Sequence, residues 1–158
     1  GHQNYQLAPE IELRTLETNG TGFVRMVTAA FRYFTQQKGG HLAVISSIAG
    51  TKGLGAAPAY SATKRFQNTY IDALEQLAHI QKLPIRFTDI RPGFVATGLL
   101  NDGKHYPMLM HTEKVARHIV RALEKKKRIV VIDWRYRILV ALWRLIPPFL
   151  WKQMTVRN

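Results

Sequence analysis

Three short apolar segments alternate with long helical patterns, and this alternation limits the fold more than any other feature of the sequence. The segments 41–46, 85–90 and 129–132 are short enough to be strands. Helical patterns precede or separate them at 9–36, 58–80 and 113–126. The connections are too long for hairpins, so the strands must pair in parallel through right-handed crossovers. The sequence therefore predicts part of an α/β layered sheet in which one edge strand lacks a neighbour.

The first apolar segment contains four consecutive apolar residues, 42–45, which predict a strand buried on both faces. Ligands of parallel sheets bind beyond the carboxyl ends of the strands. We therefore expect a site among the residues from Ser46 onward, from Arg91 onward and after Ile132.

Composition excludes several kinds of site. The sequence has no cysteine, so neither a disulfide framework nor a thiolate metal site can form. Its six histidines show no metal-ligand spacing, and no metal is expected. The lack of cysteine also agrees with a cytoplasmic protein. No signal peptide is visible after Gly1, and an opening without Met indicates a processed chain, an engineered chain or a fragment.

A serine, a tyrosine and a lysine stand where two elements meet. Ser47 follows the first strand, Tyr60 comes thirteen residues later, and Lys64 lies one helical turn after Tyr60 on the same face. A free phenol has a pKa of about 10, and lowering it to about 7 requires ~4 kcal/mol. An ammonium roughly 4 Å away supplies that much at an effective dielectric of about 20. The trio therefore predicts a tuned general acid/base beside a hydroxyl that binds the substrate oxygen.

Three segments carry a family resemblance: 44–50 (VISSIAG), 60–64 (YSATK) and 91–97 (RPGFVAT). In order and spacing they resemble three signatures of the short-chain dehydrogenase/reductase family. The resemblance implies the last three strands of a partial Rossmann-like, doubly wound parallel sheet with their helices. Residues 1–133 would be the C-terminal part of that domain, and 134–158 a basic amphipathic segment of the same domain.

The resemblance also implies roles for individual residues. Tyr60 would be the catalytic acid/base, Ser47 would anchor the carbonyl or hydroxyl, and Lys64 would tune Tyr60 and hold the nicotinamide ribose. Asn19 falls where the family has an asparagine that supports a proton-relay water, and the weak helix formers around it indicate a local distortion. The alternative is that Asn19 caps a helix starting at Gly20. The cofactor would be held by Tyr60 and Lys64 together with four residues of the third segment, Pro92, Gly93, Val95 and Thr97.

The family's glycine-rich, pyrophosphate-binding turn is not recognisable in this sequence. The glycines at 50, 53 and 55 have the wrong spacing and belong to the loop after the first strand. We therefore expect these 158 residues alone to be inactive and to bind the cofactor weakly. The cofactor is NADP or NAD, with NADP preferred, although this sequence does not carry the residues that decide.

The substrate would be a small carbonyl compound or alcohol. Residues 98–111 resemble the family's variable substrate-covering loop, and their apolar side chains suit an apolar substrate. Ordinary packing of this loop would also explain them. By resemblance, the helices at 10–36 and 58–80 would form the usual contact of a homodimer or homotetramer. A non-catalytic α/β module for protein interaction or membrane docking remains the alternative.

Charge is concentrated in the second half of the chain. Residues 81–158 carry sixteen Lys and Arg against five Asp and Glu, whereas residues 1–80 carry seven against five. An excess of basic residues in one half is typical of proteins that bind nucleic acid or an anionic membrane. A solvated surface also explains this charge distribution. Nucleic acid is not expected, because the basic run 125–128 ends a helix and has no aromatic residues interleaved.

The C-terminal segment 134–158 alternates cations with large apolar residues. Its apolar stretch 138–150 is too short to span a bilayer and is interrupted by Arg144 and two prolines. It could lie on an anionic membrane as an amphipathic segment. It could equally cover the substrate pocket or a subunit partner.

Overall fold

The computed structural model describes residues 4–95 and 108–156, and in them a parallel sheet carries helices on both faces. In chain order the elements are α1 (Pro9–Leu16), a π-helical segment (Glu17–Gly22), α2 (Phe23–Gln36), β1 (Gly40–Ile45), a 3-10 turn (Ile48–Thr51), α3 (Pro58–Ile80), β2 (Ile85–Arg91), α4 (Thr112–Glu124), β3 (Ile129–Val131), α5 (Trp134–Leu145) and α6 (Pro148–Trp151).

The three strands pair in parallel in the order β1-β2-β3, as the alternation of strands and helices predicts. In this register Val44 lies opposite Asp89, and Ile90 lies opposite Val130. The predicted element bounds agree to within two residues, which is the usual uncertainty of helix and strand ends. All three carboxyl ends therefore point to one edge of the sheet, where the candidate residues lie.

Two separate cores form on the two faces of the sheet. On one face, α2 and α3 pack their apolar side chains on β1 and the first half of β2, around Phe31, Ile71 and Phe87. On the other face, α4 and α5 cover Ile90 of β2. Because successive strand residues point to opposite faces, Phe87 and Ile90 belong to different cores.

The expectation that the first strand is buried on both faces is wrong for this chain. Leu42 and Val44 are buried, but Ala43 is exposed and 58% of Ile45 is accessible. The reason is that β1 is an edge strand of the described sheet, and α2 and α3 cover only one of its faces. β2, which has a neighbour on each side, is buried at every position except Arg86.

The π-helical segment lies inside one continuous helix that runs from Pro9 to Gln36. The residues around the segment keep right-handed helical backbone angles, so no new helix starts at Gly20. This excludes the alternative that Asn19 is a helix cap. The local distortion predicted from the cluster of weak helix formers is confirmed.

Candidate active site

The loops that follow β1 and β2 are joined by main-chain hydrogen bonds just beyond the sheet. The amide of Ser46 donates to the carbonyl of Ile90 at 2.8 Å, and the amide of Ile48 donates to the carbonyl of Pro92 at 3.2 Å. Ser47 lies between these two bonds. The sheet thus continues for one residue past β1 and brings Ser47 next to the turn that begins at Pro92.

Ser47 is buried and ends the extended backbone before the 3-10 turn. Its φ of −168° and ψ of 156° are those of a strand residue, and its hydroxyl oxygen accepts from the amide of Ala49 at 3.1 Å. The same side chain is hydrogen-bonded to Tyr60. One hydroxyl is therefore held by the main chain on one side and faces the phenol on the other.

Tyr60 and Lys64 are placed by the first turns of α3. Pro58 occupies the first turn of this helix, where main-chain amides have no helical acceptor, so the missing N–H of proline costs no hydrogen bond. The Lys64 Nζ lies 5.6 Å from the centroid of the Tyr60 ring, as expected for positions four apart on one face. Ser47, Tyr60 and Lys64 are thus brought together, although Ser47 comes from a different loop.

Burial favours the neutral forms of both Tyr60 and Lys64. Burial raises the pKa of Tyr60 above its ordinary value, and the hydrogen bond from Ser47 opposes this only in part. Burial also lowers the pKa of Lys64, against the attraction of the Asp89 carboxylate. The expectation that the pKa of Tyr60 falls to about 7 is therefore not met, because burial has the largest effect on this phenol and raises its pKa. At neutral pH the phenol keeps its proton.

Asn19 joins the site through α3. The side-chain amide of Asn19 donates to the hydroxyl of Thr63 at 3.2 Å. The main-chain carbonyl of Asn19 accepts from the side-chain amide of Gln67 at 2.9 Å. Gln67 in turn accepts a hydrogen bond from Lys64 Nζ at 3.3 Å. Asn19 therefore contacts Lys64 through an intervening side chain. No role was predicted for Gln67 from the sequence, because a glutamine on a helix is usually solvated.

The sequence feature that could have indicated its role is its position one helical turn after Lys64.

A buried polar cluster of four residues adjoins the site and was also missed. Its members are Ser46, Asn68, Asp89 and Arg91. Asp89 receives hydrogen bonds from Ser46 at 2.5 Å, from Asn68 at 2.9 Å and from two nitrogens of Arg91 at 2.7 and 2.9 Å. The signal in the sequence is that Asp89 and Arg91 are two apart on a strand, where side chains share a face.

The turn after β2 is closed by a tyrosine of the C-terminal segment. The Tyr136 hydroxyl accepts from the amide of Phe94 at 3.0 Å and donates to the carbonyl of Met108 at 3.1 Å. A Cβ on Gly93 would lie 2.2 Å from the Tyr136 ring, so only glycine fits there. The predicted cofactor residues Pro92, Gly93 and Val95 lie in this turn, whereas Thr97 lies outside the described residues.

The donors at this edge fit one end of a nicotinamide dinucleotide. A phenol, a hydroxyl and an ammonium converge beside the main-chain turn after β2, which is suitable chemistry for a ribose diol and a carbonyl oxygen. Gly50 of the first loop lies directly against α3. A Cβ on Gly50 would lie 2.7 Å from the Asn68 Oδ1 and 2.8 Å from the Lys64 carbonyl carbon, so this glycine serves the packing of the loop on α3.

A cavity of about 730 Å³ lies nearby but does not contain the site. It is bounded by the loop 52–56 on one side and by the C-terminal residues 148–156 on the other. Neither Ser47, Tyr60 nor Lys64 lines it, so it is not where the predicted chemistry would occur. Within the described residues, no group of three metal-ligating side chains is found.

Comparison with known proteins supports the assignment of the three signature segments. The family model described as short chain dehydrogenase matches residues 3–106. Dehydrogenase/reductase SDR family member 7B of Bos taurus is 32% identical over 95% of this chain and 50% of its own length. An uncharacterized oxidoreductase of Myxococcus xanthus is 29% identical over 84% of this chain and 52% of its own length. The chain therefore spans about half the length of the curated relatives it matches.

Solved structures share the fold. A short-chain dehydrogenase from Burkholderia cenocepacia in complex with NADP has a TM-score of 0.77 at 18% identity, covering 96% of this chain and 62% of that one. A short-chain dehydrogenase from Sphingobium yanoikuyae in complex with NADPH has a TM-score of 0.73 at 18% identity, covering 92% and 61%. The described sheet and its helices thus form a Rossmann-like α/β fold. Together with the match to the family model, the gathered residues of the site lead to one conclusion: the chain belongs to the short-chain dehydrogenase family.

Proposed function

We propose that the protein is an NAD(P)-dependent oxidoreductase that interconverts a carbonyl and a secondary alcohol, with Tyr60 as the acid/base. The observation that carries the proposal is the convergence of Ser47, Tyr60 and Lys64 at the carboxyl ends of parallel strands in a chain of this family. Solved structures of similar fold that bind NADP or NADPH support the cofactor class. Of the two cofactors, we propose that the protein prefers NADP to NAD.

In the direction of reduction, the substrate carbonyl oxygen would lie within reach of the Ser47 and Tyr60 hydroxyls. Ser47 would donate a hydrogen bond to this oxygen as negative charge develops there. Tyr60, whose raised pKa keeps the phenol protonated at neutral pH, would transfer its proton to the same oxygen. The Lys64 ammonium would stabilise the resulting phenolate. The reduced nicotinamide cofactor, when bound, supplies the hydride.

The test is cofactor-dependent turnover by the intact protein with a panel of apolar ketones and secondary alcohols. We expect consumption of NADPH or NADH with members of the panel, and a loss of roughly 10²–10³-fold in kcat for Ser47→Ala, since the site loses the donor to the developing charge. The control is Thr69→Ala, an exposed hydroxyl on α3, which should leave kcat unchanged. A Ser47→Ala variant as active as the control would contradict the mechanism.

For the assembly we propose a homodimer or homotetramer formed through α1, α2 and α3. Exposed apolar side chains on these helices support it: Leu13, Met26, Tyr33, Phe66 and Ile80 are between 42% and 74% accessible. Light scattering of the intact protein should give a mass of two or four subunits, and a monomer at high concentration would contradict it. A cytoplasmic location stays a prediction.

We also propose that α5 and α6 contact an anionic membrane. The outer face of α5 carries an apolar row of four side chains that are 51% to 79% accessible: Trp134, Ile138, Leu142 and Leu145. Their spacing of four, four and three residues places them on one face of the helix. Beyond the helix break at Ile146 and Pro147, Phe149 of α6 is also 64% accessible. Exposed Arg137 and Arg144 lie beside this face, and residues 134–158 contain no acidic residue. Such a face suits an interface of lipid headgroups rather than a bilayer crossing. None of the described helices is both long and apolar enough to cross a membrane.

Flotation of the intact protein with vesicles tests this contact. We expect flotation with phosphatidylglycerol vesicles, little with phosphatidylcholine alone, and loss of flotation in the double variant Leu142→Gln with Leu145→Gln. Val120→Gln, which removes an exposed apolar side chain on α4, outside both proposed contact surfaces, is the control. Equal flotation of the double variant and the control would overturn the proposal.

A further inference from the structure

Gln67 occupies an unusual position for a glutamine. Its side chain is 4% exposed, and both ends of its amide are used. The nitrogen donates to the carbonyl of Asn19 at 2.9 Å, and the oxygen accepts from Lys64 Nζ at 3.3 Å. A buried amide with both ends bonded holds its two partners at a set separation, because either bond is lost if a partner moves.

The carbonyl that Gln67 binds belongs to the π-helical segment. In a regular α-helix the amide of Phe23 would donate to the carbonyl of Asn19. Here the amide of Phe23 donates to the carbonyl of Gly20. The Asn19 main-chain carbonyl does not receive this amide, and it accepts the side-chain amide of Gln67 at 2.9 Å. π-helical turns inside α-helices are frequently found at functional sites.

A second hydrogen bond joins the π-helical segment to α3 one residue before Lys64. The Asn19 side chain donates to the hydroxyl of Thr63, which itself donates to the carbonyl of Tyr60. The π-helical segment is thus tied to α3 on both sides of Lys64. A lysine side chain has four rotatable bonds and three donors, so its ammonium would otherwise sample several positions.

We propose that Gln67 is a positioning residue of the active site, which holds the Lys64 ammonium beside the Tyr60 ring by joining it to the Asn19 carbonyl. The inference rests on the proposed function, because it assigns a task to Gln67 through Lys64 and Tyr60. Gln67 itself touches neither Tyr60 nor the reacting atoms in this assignment.

Two substitutions separate positioning from simple packing. Gln67→Leu removes both bonds at similar volume, so the charged form of Lys64 loses an acceptor and its pKa should fall. Gln67→Glu keeps an acceptor and adds a negative charge, so the pKa of Lys64 should rise. The other ionisable groups that act on Lys64 are Tyr60 on its own helix and Asp89 on β2, whose charge is shared with Arg91. Both variants leave these groups unchanged.

The experiment measures two quantities on the intact protein: the titration of Lys64, followed by NMR of labelled lysine side chains, and kcat as a function of pH. We expect Gln67→Leu to move the Lys64 titration down by about one pH unit and Gln67→Glu to move it up, since a hydrogen bond to a charged group contributes that much. We expect kcat of Gln67→Leu to fall at least about tenfold, with an alkaline limb at lower pH than in the wild type. Gln76→Leu, at an exposed glutamine of the same helix, should change neither quantity.

The outcomes distinguish failure of the positioning role of Gln67 from failure of the proposed function. If Gln67→Leu and Gln67→Glu both titrate like the wild type, the positioning role is wrong, whatever the activity. If they shift in the same direction, a packing change explains them and the inference is also overturned. If the opposite shifts occur but the wild type turns over no carbonyl or alcohol, Gln67 positions Lys64 as inferred and it is the proposed function that fails.

Discussion

Asp89 illustrates how a single buried charge supports the site. Its carboxylate is 1% exposed and binds the side chains of Ser46, Asn68 and Arg91. It also acts on Lys64 by favouring the ammonium form, which raises the pKa of Lys64 against the larger effect of burial. The same group therefore connects the end of β1, the middle of α3 and the end of β2 at the level where the candidate residues begin.

Replacing this carboxylate should be costly. Asp89→Asn leaves the buried Arg91 guanidinium without its counter-charge, and breaking a buried ion pair from one side costs about 3–5 kcal/mol. Urea denaturation of the intact protein measures this loss. The matched control is Asp72→Asn, which breaks an ion pair with Arg128 at a carboxylate that is 64% exposed and should cost at most about 1 kcal/mol. Similar losses for the two variants would contradict the importance of the cluster.

At the scale of single residues, the sequence identifies groups that stand in a recognisable spacing and misses those that act through another side chain. Ser47, Tyr60 and Lys64 could be named because their separation places them together. Gln67 and Asn68 could not, because a polar residue on a long helix is usually solvated, and only the packing of α3 against the π-helical segment and the strand ends buries them. The pKa of Tyr60 was misjudged for a related reason: a Coulomb argument between two residues omits the hydration that both lose.

Among the elements, the turn after β2 depends most on one residue type. Gly93 lies against the Tyr136 ring, and Tyr136 in turn binds the main chain of Phe94 and Met108. The first turns of α5 therefore hold in place the turn that carries the predicted cofactor residues. This also explains why Tyr136 is fully buried in a segment whose outer face is apolar and exposed.

Gly93→Ala should therefore destabilise the protein. A Cβ 2.2 Å from the Tyr136 ring forces either the turn or α5 to move, and such overpacking typically costs about 1–3 kcal/mol. Thermal unfolding should show a lower midpoint for this variant. Gly53→Ala is the control, because a Cβ there meets no atom within 4 Å and the backbone is outside the left-handed region. Equal midpoints for the two variants would show that the contact with Tyr136 is unimportant.

Helices and strands were more predictable than their surroundings. α3 begins and ends at the predicted residues, since Pro58 marks its start and a regular apolar face continues to Ile80. Asn19, Gly20 and Gly22 predicted a distortion, and their low helix propensity is consistent with the π-helical turn there. The burial of β1 was not predictable from its own residues, because an apolar strand does not reveal whether a helix covers each face.

For the molecule as a whole, we propose that this chain supplies the catalytic residues and that the pyrophosphate of the cofactor is bound elsewhere in the intact protein. The residues proposed to carry the chemistry lie just beyond the carboxyl end of β1 and on α3, but a glycine-rich turn for the pyrophosphate is not recognisable in the sequence. The division into 1–133 and 134–158 stays a prediction, although Tyr136 packs the second segment firmly on the first.

Calorimetric titration tests this division of work. A protein made of these 158 residues alone should bind NADPH more weakly than micromolar, because the pyrophosphate contributes much of the recognition through main-chain amides and a helix N-terminus. The intact protein should bind it tightly. Micromolar binding by the 158 residues alone would contradict the account and point to a phosphate site within them.

The most direct measurement of the central claim is turnover by the Tyr60→Phe variant of the intact protein. Removing one hydroxyl leaves the ring that packs beside Lys64 but takes away the proton that the carbonyl oxygen would receive. We predict a fall in kcat of at least about a hundredfold, with cofactor affinity and the unfolding midpoint unchanged. Tyr33→Phe, at an exposed tyrosine of α2, should keep full activity. A Tyr60→Phe enzyme that reduces its substrate as fast as the wild type would contradict the account.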